Sequence, residues 1–253
     1  ENSRLHIPLI FGLDVIHGYD VTFPIPLALA SSWNMELIEQ VARTSAIEAS
    51  SDGVCWVYSP MVDICHDSRW GRIAESAGED PYLGSVIAKA WVKGYQINND
   101  LSRKDNVMAC VKHYALYGAA EAGRDYNTVD MSRQKAMNEY MLPYKAACEQ
   151  GAGSYMASFN EFEGIPVTAN KYLLDDVLRK QWGFNGFVVT DYTGTMELTN
   201  HGIGNEVEVT ARALKAGIDM DMVSEYFSQH LEEALEKGII ELADIDKACR
   251  RVL

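Results

Sequence analysis

What most constrains this chain is the alternation of short apolar runs with longer amphipathic stretches along its whole length. Residues 7–13, 54–62, 107–111, 154–159, 187–190 and 218–222 read as strands that are apolar on both faces. Such strands belong to a parallel sheet covered by helices, because an antiparallel sheet with one wet face would alternate apolar and polar residues. Between them, helical spacing predicts helices over 35–50, 83–96, 132–150, 170–182, 207–214, 225–237 and 242–253. Asn34 and Asn170 are the caps of two of these, Gly53 ends the first, and Pro143 should bend the long one. The Gly183-Phe184-Asn185-Gly186 segment reads as a turn.

Two architectures use this alternation, a closed (β/α)8 barrel and an open doubly wound sheet. No GxGxxG or GxxxxGK[ST] loop follows any strand, which weakens the nucleotide-binding doubly wound folds. Polar residues separate the two further. Asp14, Asp63, Lys112 with His113, Asn160 and Asp191 fall at or just past the ends of five strands. One strand-end Asp more often caps a turn than performs chemistry. Five such ends are another matter, because in a barrel they form a single ring where active sites are built. We therefore expect a TIM-like (β/α)8 barrel, with residues 1–253 as one catalytic domain. Six strands are clear. Residues 22–26 would add an irregular seventh, and an eighth, with its helix, would precede Glu1. The first residue is not Met, and Arg250-Arg251-Val252-Leu253 lies inside a helical pattern, so a longer parent is expected.

Composition removes some functions. Lys plus Arg total 22 and Asp plus Glu total 36, for a formal charge of −14. Nucleic acid and anionic membrane surfaces require a basic face, so neither is expected as a partner. No apolar run approaches the ~20 residues of a membrane span. The five cysteines, Cys55, Cys65, Cys110, Cys148 and Cys249, are odd in number and form no CxxC. That argues against a disulfide framework or a zinc ribbon. Cys55, Cys110 and Cys148 sit in apolar settings and read as buried small hydrophobes. HxH and HExxH are absent, and the spacing of Asp63, Cys65, His66 and Asp67 is not a recognised ligand set, so neither metal nor cofactor is expected.

The strand-end residues suit a polyhydroxylated ligand. Asp191 follows the apolar Phe187-Val188-Val189-Thr190 and can act there as nucleophile, base or ligand. Lys112 donates to hydroxyls, and His113 can donate, accept or carry a proton. Arg72, in a loop dense with charge, either orders that loop or clamps a substrate. Nearby Trp and Tyr residues would supply a stacking face.

In chain order these segments resemble glycoside hydrolase family 3 β-glucosidases. Gly12-Leu13-Asp14-Val15-Ile16-His17-Gly18 is similar to that family's G-x-D-x-x-H-G, and Phe23-Pro24-Ile25-Pro26-Leu27-Ala28-Leu29-Ala30 to its FP-x-P-x-x-L-A. Asp67-Ser68-Arg69-Trp70-Gly71-Arg72 resembles DPRWGR, with Ser68 in place of Pro. Gly78-Glu79-Asp80-Pro81 and Val111-Lys112-His113-Tyr114 are similar to x-EDP and KH[FY]. The stretch from Gly183 to Tyr192 resembles GF-x-G-x-V-V-[ST]-D-[WY], and the stretch from Ala216 to Met222 resembles AG-x-D-x-[DE]-M. The resemblance covers essentially the whole chain, and collinear motifs make it specific.

This resemblance implies a retaining exo-acting β-glucosidase, with Asp191 as the nucleophile that forms a glycosyl-enzyme. It implies that Asp14, Arg72, Lys112 and His113 hold the terminal sugar, with Arg124 near a further sugar-binding position. Met156 and Phe159 fall on a strand where many members carry Tyr, and His66 falls where Arg is common. Asp63, Glu75 and Asp219 read as supporting residues. A retaining glycosidase needs a second carboxyl group ~5–5.5 Å from the first. In two-domain members that Glu comes from an α/β sandwich domain following the barrel, which is expected to lie beyond residue 253 in the longer parent. Internal candidates are Glu79, Glu161 and Glu225, with Glu161 foremost because it follows a strand tip. The single-domain N-acetylhexosaminidase branch is disfavoured, since the segment from Lys112 to Gly118 has no second His. A β-xylosidase or other exo-β-glycosidase, and a non-catalytic sugar-binding barrel, remain alternatives. The implied partners are a β-glucoside or small oligosaccharide, the family's C-terminal domain, and a second copy where the enzyme dimerises. The implied location is periplasmic or secreted.

Overall fold

The computed structural model describes residues 3–253. Its strands are β1 (Gly12–Leu13), β2 (Trp56–Val57), β3 (Met108–Tyr114), β4 (Ser154–Ala157), β5 (Glu161–Phe162), β6 (Ile165–Pro166) and β7 (Phe187–Thr190). Five of them form one parallel sheet in the order β1-β2-β3-β4-β7, and β5 and β6 make a small antiparallel hairpin. A parallel bridge from Val189 to Met220 extends the sheet by one further segment. The result is a parallel α/β half-barrel. Among the described residues β1 and the Met220 segment are its open edges.

Period-two alternation explains why the strands are apolar on both faces. Trp56, Cys110, Met156, Phe187 and Val189 point to the concave side and pack into one cluster with Tyr58, Met108, Met220 and Met222. Val57, Ala109, Val111, Tyr155, Ala157 and Val188 point outward into the main core beneath the helices. The indole N–H of Trp56 donates to Ser154 Oγ at 2.8 Å, so the polar edge of this ring is satisfied in the inner layer. Burying each large apolar side chain contributes about 1.5–3 kcal/mol, so the inner and outer layers both hold the sheet.

The helices form close to where their spacing places them. Met35–Ser51 starts at Asn34, whose side chain accepts from Leu37 N at 3.0 Å. It packs on Pro81–Tyr95, capped by Asp80, at a point where a Cβ on Gly94 would meet Ala42 Cβ at 2.5 Å. The long helix predicted over 132–150 is three pieces: Arg133–Lys135, a π-helical turn Ala136–Tyr140, and Leu142–Glu149. Pro143 stands at the start of the last piece, where a missing N–H is tolerated. The segment capped by Asn170 is π-helical over Tyr172–Gln181.

Four expectations need correction. Predicted strands 7–13 and 54–62 are paired only at β1 and β2, with Met61 bridged to Lys112. Pro60 interrupts the second of them, since proline cannot donate to a ladder. Residues 22–26 add no strand to the sheet: Thr22 makes an antiparallel bridge with Gly18, and Pro26–Ala30 is helical. Residues 218–222 run beside β7 with a single bridge. Finally, Cys55 is exposed, while Cys110 is buried and Cys148 half-buried; all five cysteines are free.

Beside β7 lies a buried ion network. Asp219 accepts from Arg179 Nη2, from Arg251 Nη1 at 2.9 Å and from Val188 N at 2.9 Å. Arg179 also donates to Gly186 O at 2.9 Å. Burial pushes the Asp219 carboxyl up and the Arg179 guanidinium down, opposed by their mutual attraction. The network ties the Met220 segment, β7 and the helix Leu242–Val252 together.

Candidate active site

At the C-terminal ends of the strands lies a cavity of about 480 Å³. The alternation that fills the concave side with Met108, Cys110, Phe187 and Val189 delivers Lys112 and Asp191 next in line, at its floor. Asp14 follows β1, Met156 lies on β4, and Arg72 and Glu75 arrive on the loop after β2. Ile16, Tyr58, Met222 and Val223 complete the walls with His113, and the exposed Tyr192 stands at the rim.

Its charges are arranged in pairs, with one exception. Lys112 is buried and donates to Asp14 Oδ1 at 2.6 Å. Arg72 makes a bidentate pair with Glu75, at 2.7 and 3.0 Å, and its guanidinium lies 5.7 Å from the centre of the Tyr117 ring. Burial works against the Arg72 charge, and Glu75 more than offsets it, so the guanidinium titrates above its ordinary value. His113 is buried between two carboxylates. Its Nδ1 lies 3.0 Å from Asp63 Oδ2, and its Nε2 lies 3.6 Å from Asp191 Oδ2. Asp191 Oδ1 accepts from Tyr192 N at 2.7 Å. Asp191 Oδ2 is buried and has no hydrogen-bond partner. Leaving a buried polar atom unpaired costs about 1–3 kcal/mol, and this oxygen belongs to a residue that lines the cavity.

Beneath the floor, Asp63 is fully buried and accepts from His113 N at 2.8 Å and from the Tyr144 hydroxyl. Burial, then the Asp63 charge, holds the Tyr144 hydroxyl well above its ordinary pKa. Tyr58 titrates high chiefly through burial, with Cys110 and Asp14 adding to it. Among the described residues no group of three or more His, Cys, Asp or Glu is arranged to hold a metal.

Of the expected site residues, the cavity gathers Asp14, Arg72, Lys112, His113, Met156 and Asp191. Arg124 is exposed on the loop after Tyr117–Ala119 and is not in the lining. Phe159 packs against the rings of Tyr117 and Tyr126, at 6.0 and 4.9 Å, and is not in the lining either. Asn160 is structural, its Nδ2 donating to Ala115 O at 3.2 Å. His66 pairs with Glu139 at 2.6 Å. None of the three candidate acids reaches the cavity. Glu161 accepts from Thr128 at 3.0 Å, the Glu79 side chain is 74 % exposed, and Glu225 accepts from Gln229 at 2.9 Å. Sequence reading missed Tyr58, Tyr144 and Tyr192. Tyr58 continues the inward alternation from Trp56 and was findable; Tyr144, 81 residues from Asp63, left no local signal.

The chain is thus a parallel α/β half-barrel with cationic and carboxylate groups around an unpaired Asp at its strand ends. The chain belongs to glycosyl hydrolase family 3: the family's N-terminal domain model matches residues 1–253. It is 47 % identical over 252 residues to a periplasmic beta-glucosidase of Salmonella typhimurium, covering 99 % of this chain and 33 % of that protein. It is 35 % identical over 273 residues to a beta-xylosidase of Formosa agariphila, covering all of this chain and 38 % of that one. Crystal structures of a Listeria innocua beta-glucosidase with isofagomine and with glucose superpose with a TM-score of 0.97 at 43 % identity, over 99 % of this chain and 35 % of theirs. The chain thus spans about a third of the length of these relatives. No helix among the described residues is long and apolar enough to cross a membrane.

Proposed function

We propose that this chain is the sugar-holding barrel domain of a retaining exo-β-glucosidase, with Asp191 as its nucleophile. The observation that carries this reading is the buried, unpartnered Asp191 Oδ2 facing a cavity lined by Lys112, His113 and Arg72. A carboxylate with no donor to give up is ready to attack an anomeric carbon, and neighbouring cations favour its negative charge. Asp14, Lys112, His113 and Arg72 would bind ring hydroxyls, through hydrogen bonds that strengthen as the oxocarbenium-like transition state forms. Arg124 and Phe159 would act only outside the cavity lining. Met156 would present an apolar contact where a hydroxyl donor is otherwise common.

The other two carboxylates in the lining are engaged, Asp14 by Lys112 and Glu75 by Arg72. The acid/base carboxyl therefore comes, in this reading, from the α/β sandwich domain of the parent. Completion of the barrel between the two open edges, by a strand preceding residue 1, belongs to the same proposal. The parent's partners are a β-glucoside or short oligosaccharide and, where it dimerises, its own second copy. Its location is periplasmic or secreted, supported by the name of the Salmonella relative. The beta-xylosidase relative favours a second reading, the same machinery with a pentose substrate.

The test is to trap the intermediate. The parent enzyme treated with an activated 2-deoxy-2-fluoro-β-glucoside should lose activity and carry the label on Asp191, read by peptide mass spectrometry. A label elsewhere would overturn the assignment, and turnover without any label would overturn the retaining mechanism. Turnover of aryl β-xyloside faster than aryl β-glucoside would select the second reading.

A further inference from the structure

We propose that Asp63, clamped by Tyr144, is a positioning residue. It keeps the His113 proton on Nδ1, so that Nε2 faces the cavity as an acceptor and leaves Asp191 free. The inference rests on the reading of Asp191 as nucleophile.

Asp63 touches nothing in the cavity. Its side chain is fully buried, and both of its oxygens are spent on neighbours of the site. Oδ2 accepts the backbone N–H of His113 at 2.8 Å and faces the ring Nδ1 at 3.0 Å. Oδ1 accepts the hydroxyl of Tyr144, whose oxygen also lies 2.8 Å from the carbonyl oxygen of His113. One carboxylate and one phenol therefore grip both the backbone and the ring of a single residue. A carboxylate is an acceptor only, so the imidazole nitrogen that faces it carries the hydrogen. In the neutral ring the lone pair then lies on Nε2, because the bond made by one ring nitrogen sets the state of the other.

That lone pair is aimed at Asp191 Oδ2, a buried carboxylate oxygen of the cavity that has no hydrogen-bond partner. Nε2 stands 3.6 Å from Asp191 Oδ2, too far for a hydrogen bond and too close for another heavy atom to lie in line between them. Were the proton on Nε2, a small tilt would let it donate to Oδ2 and tie up the attacking lone pair. With the proton on Nδ1, the two acceptors do not bond, and a ligand hydroxyl beside them can donate to Nε2. The groups around His113 are few. Asp63 and Tyr144 lie on one side and Asp191 on the other, with the Tyr117 ring edge-on at 5.1 Å. The adjacent Lys112 is committed to Asp14.

The experiment is a double-mutant cycle in the parent enzyme. Asp63→Asn is measured alone and in a His113→Ala background, with kcat referred to active sites counted by the 2-fluoroglucoside burst. An Asn amide turned toward Nδ1 would donate to it and send the ring proton to Nε2. We expect Asp63→Asn to lower kcat per active site about 30- to 100-fold with less than about threefold change in KM. In the His113→Ala background it should lower kcat less than about twofold, since a residue that acts through His113 has nothing left to act on. Equal effects in both backgrounds, or unchanged kcat per active site with only fewer active molecules, would overturn the proposal and leave Asp63 a fold residue. If Asp63→Asn does not fold, Tyr144→Phe enters the same cycle, with an expected drop of about three- to tenfold that vanishes without His113. The trapped peptide reports separately on Asp191, so failure of the nucleophile reading and failure of this one are distinguishable.

Discussion

Asp191 and Asp219 sit on neighbouring segments of one sheet, and the fold treats them in opposite ways. Asp219 is saturated: two guanidinium groups and a backbone N–H fill its oxygens. Asp191 receives one backbone N–H on Oδ1, and its Oδ2 is left bare. Asp191 ends an apolar run and Asp219 lies near the start of one, a difference of position that does not say which donors each will meet. The difference lies in what packs opposite. Arg179 and Arg251 approach Asp219 from two helices, while Asp191 opens toward a cavity. A carboxylate that holds a fold together has every lone pair occupied, and one that is to react must keep one free.

The comparison is tested hardest by exchanging what each residue is expected to lose. Asp191→Ala in the parent enzyme should lower kcat on an aryl β-glucoside by about 10⁴-fold or more while leaving thermal unfolding nearly unchanged. Azide should restore turnover as an α-glycosyl azide, and substantial residual hydrolysis would remove Asp191 from the chemistry. Asp219→Ala should do the reverse. It strands the buried Arg179 guanidinium and the half-buried one of Arg251, so urea unfolding should show a loss of about 3–5 kcal/mol, with kcat per folded molecule retained. A stable Asp219→Ala protein would mean that the network is not what binds the last helix to the sheet.

Lys112→Ala sharpens the contrast within the site. Lys112 is buried and Asp14 is largely exposed, so Asp14 can return to water when its partner goes. We expect kcat/KM to fall about 100-fold and stability to change by less than about 1 kcal/mol. The smallest effect belongs to Asp67, on the loop that carries Arg72. Hydrogen bonds from the Arg69 side chain and backbone lower the Asp67 carboxyl from 3.8 to about 2. Its folded pKa is depressed, so its contribution is present above pH about 4 and is lost as pH falls toward about 2. Asp67→Asn should alter acid unfolding only in that window, and only slightly, because the pair is in water.

How much was legible depends on how local each cause is. β7 lies where the apolar run 187–190 put it, and Met35–Ser51 begins at its Asn cap. Pro60, however, breaks the run 54–62, leaving regular pairing at Trp56–Val57 and a single bridge at Met61, because a ladder fails where a donor is missing. In the site, Lys112 and Asp191 followed from strand ends and alternation. Arg124 and Phe159 were placed by segment resemblance, and the loops after β3 and β4 turn them away from the lining.

By itself, the sequence determined a parallel α/β sheet and the ring of polar strand ends, because period-two alternation and capping act over a few residues. It also determined the family, because collinear motifs persist along the chain. Only the tertiary structure decided that Glu75 is spent on Arg72, that Asp63 and Tyr144 grip His113 across 50 and 31 residues, and that Asp191 Oδ2 is left alone. Those are statements about which acceptor meets which donor. The lone pairs of a carboxylate are filled by whatever packs nearest in space, which no local pattern encodes.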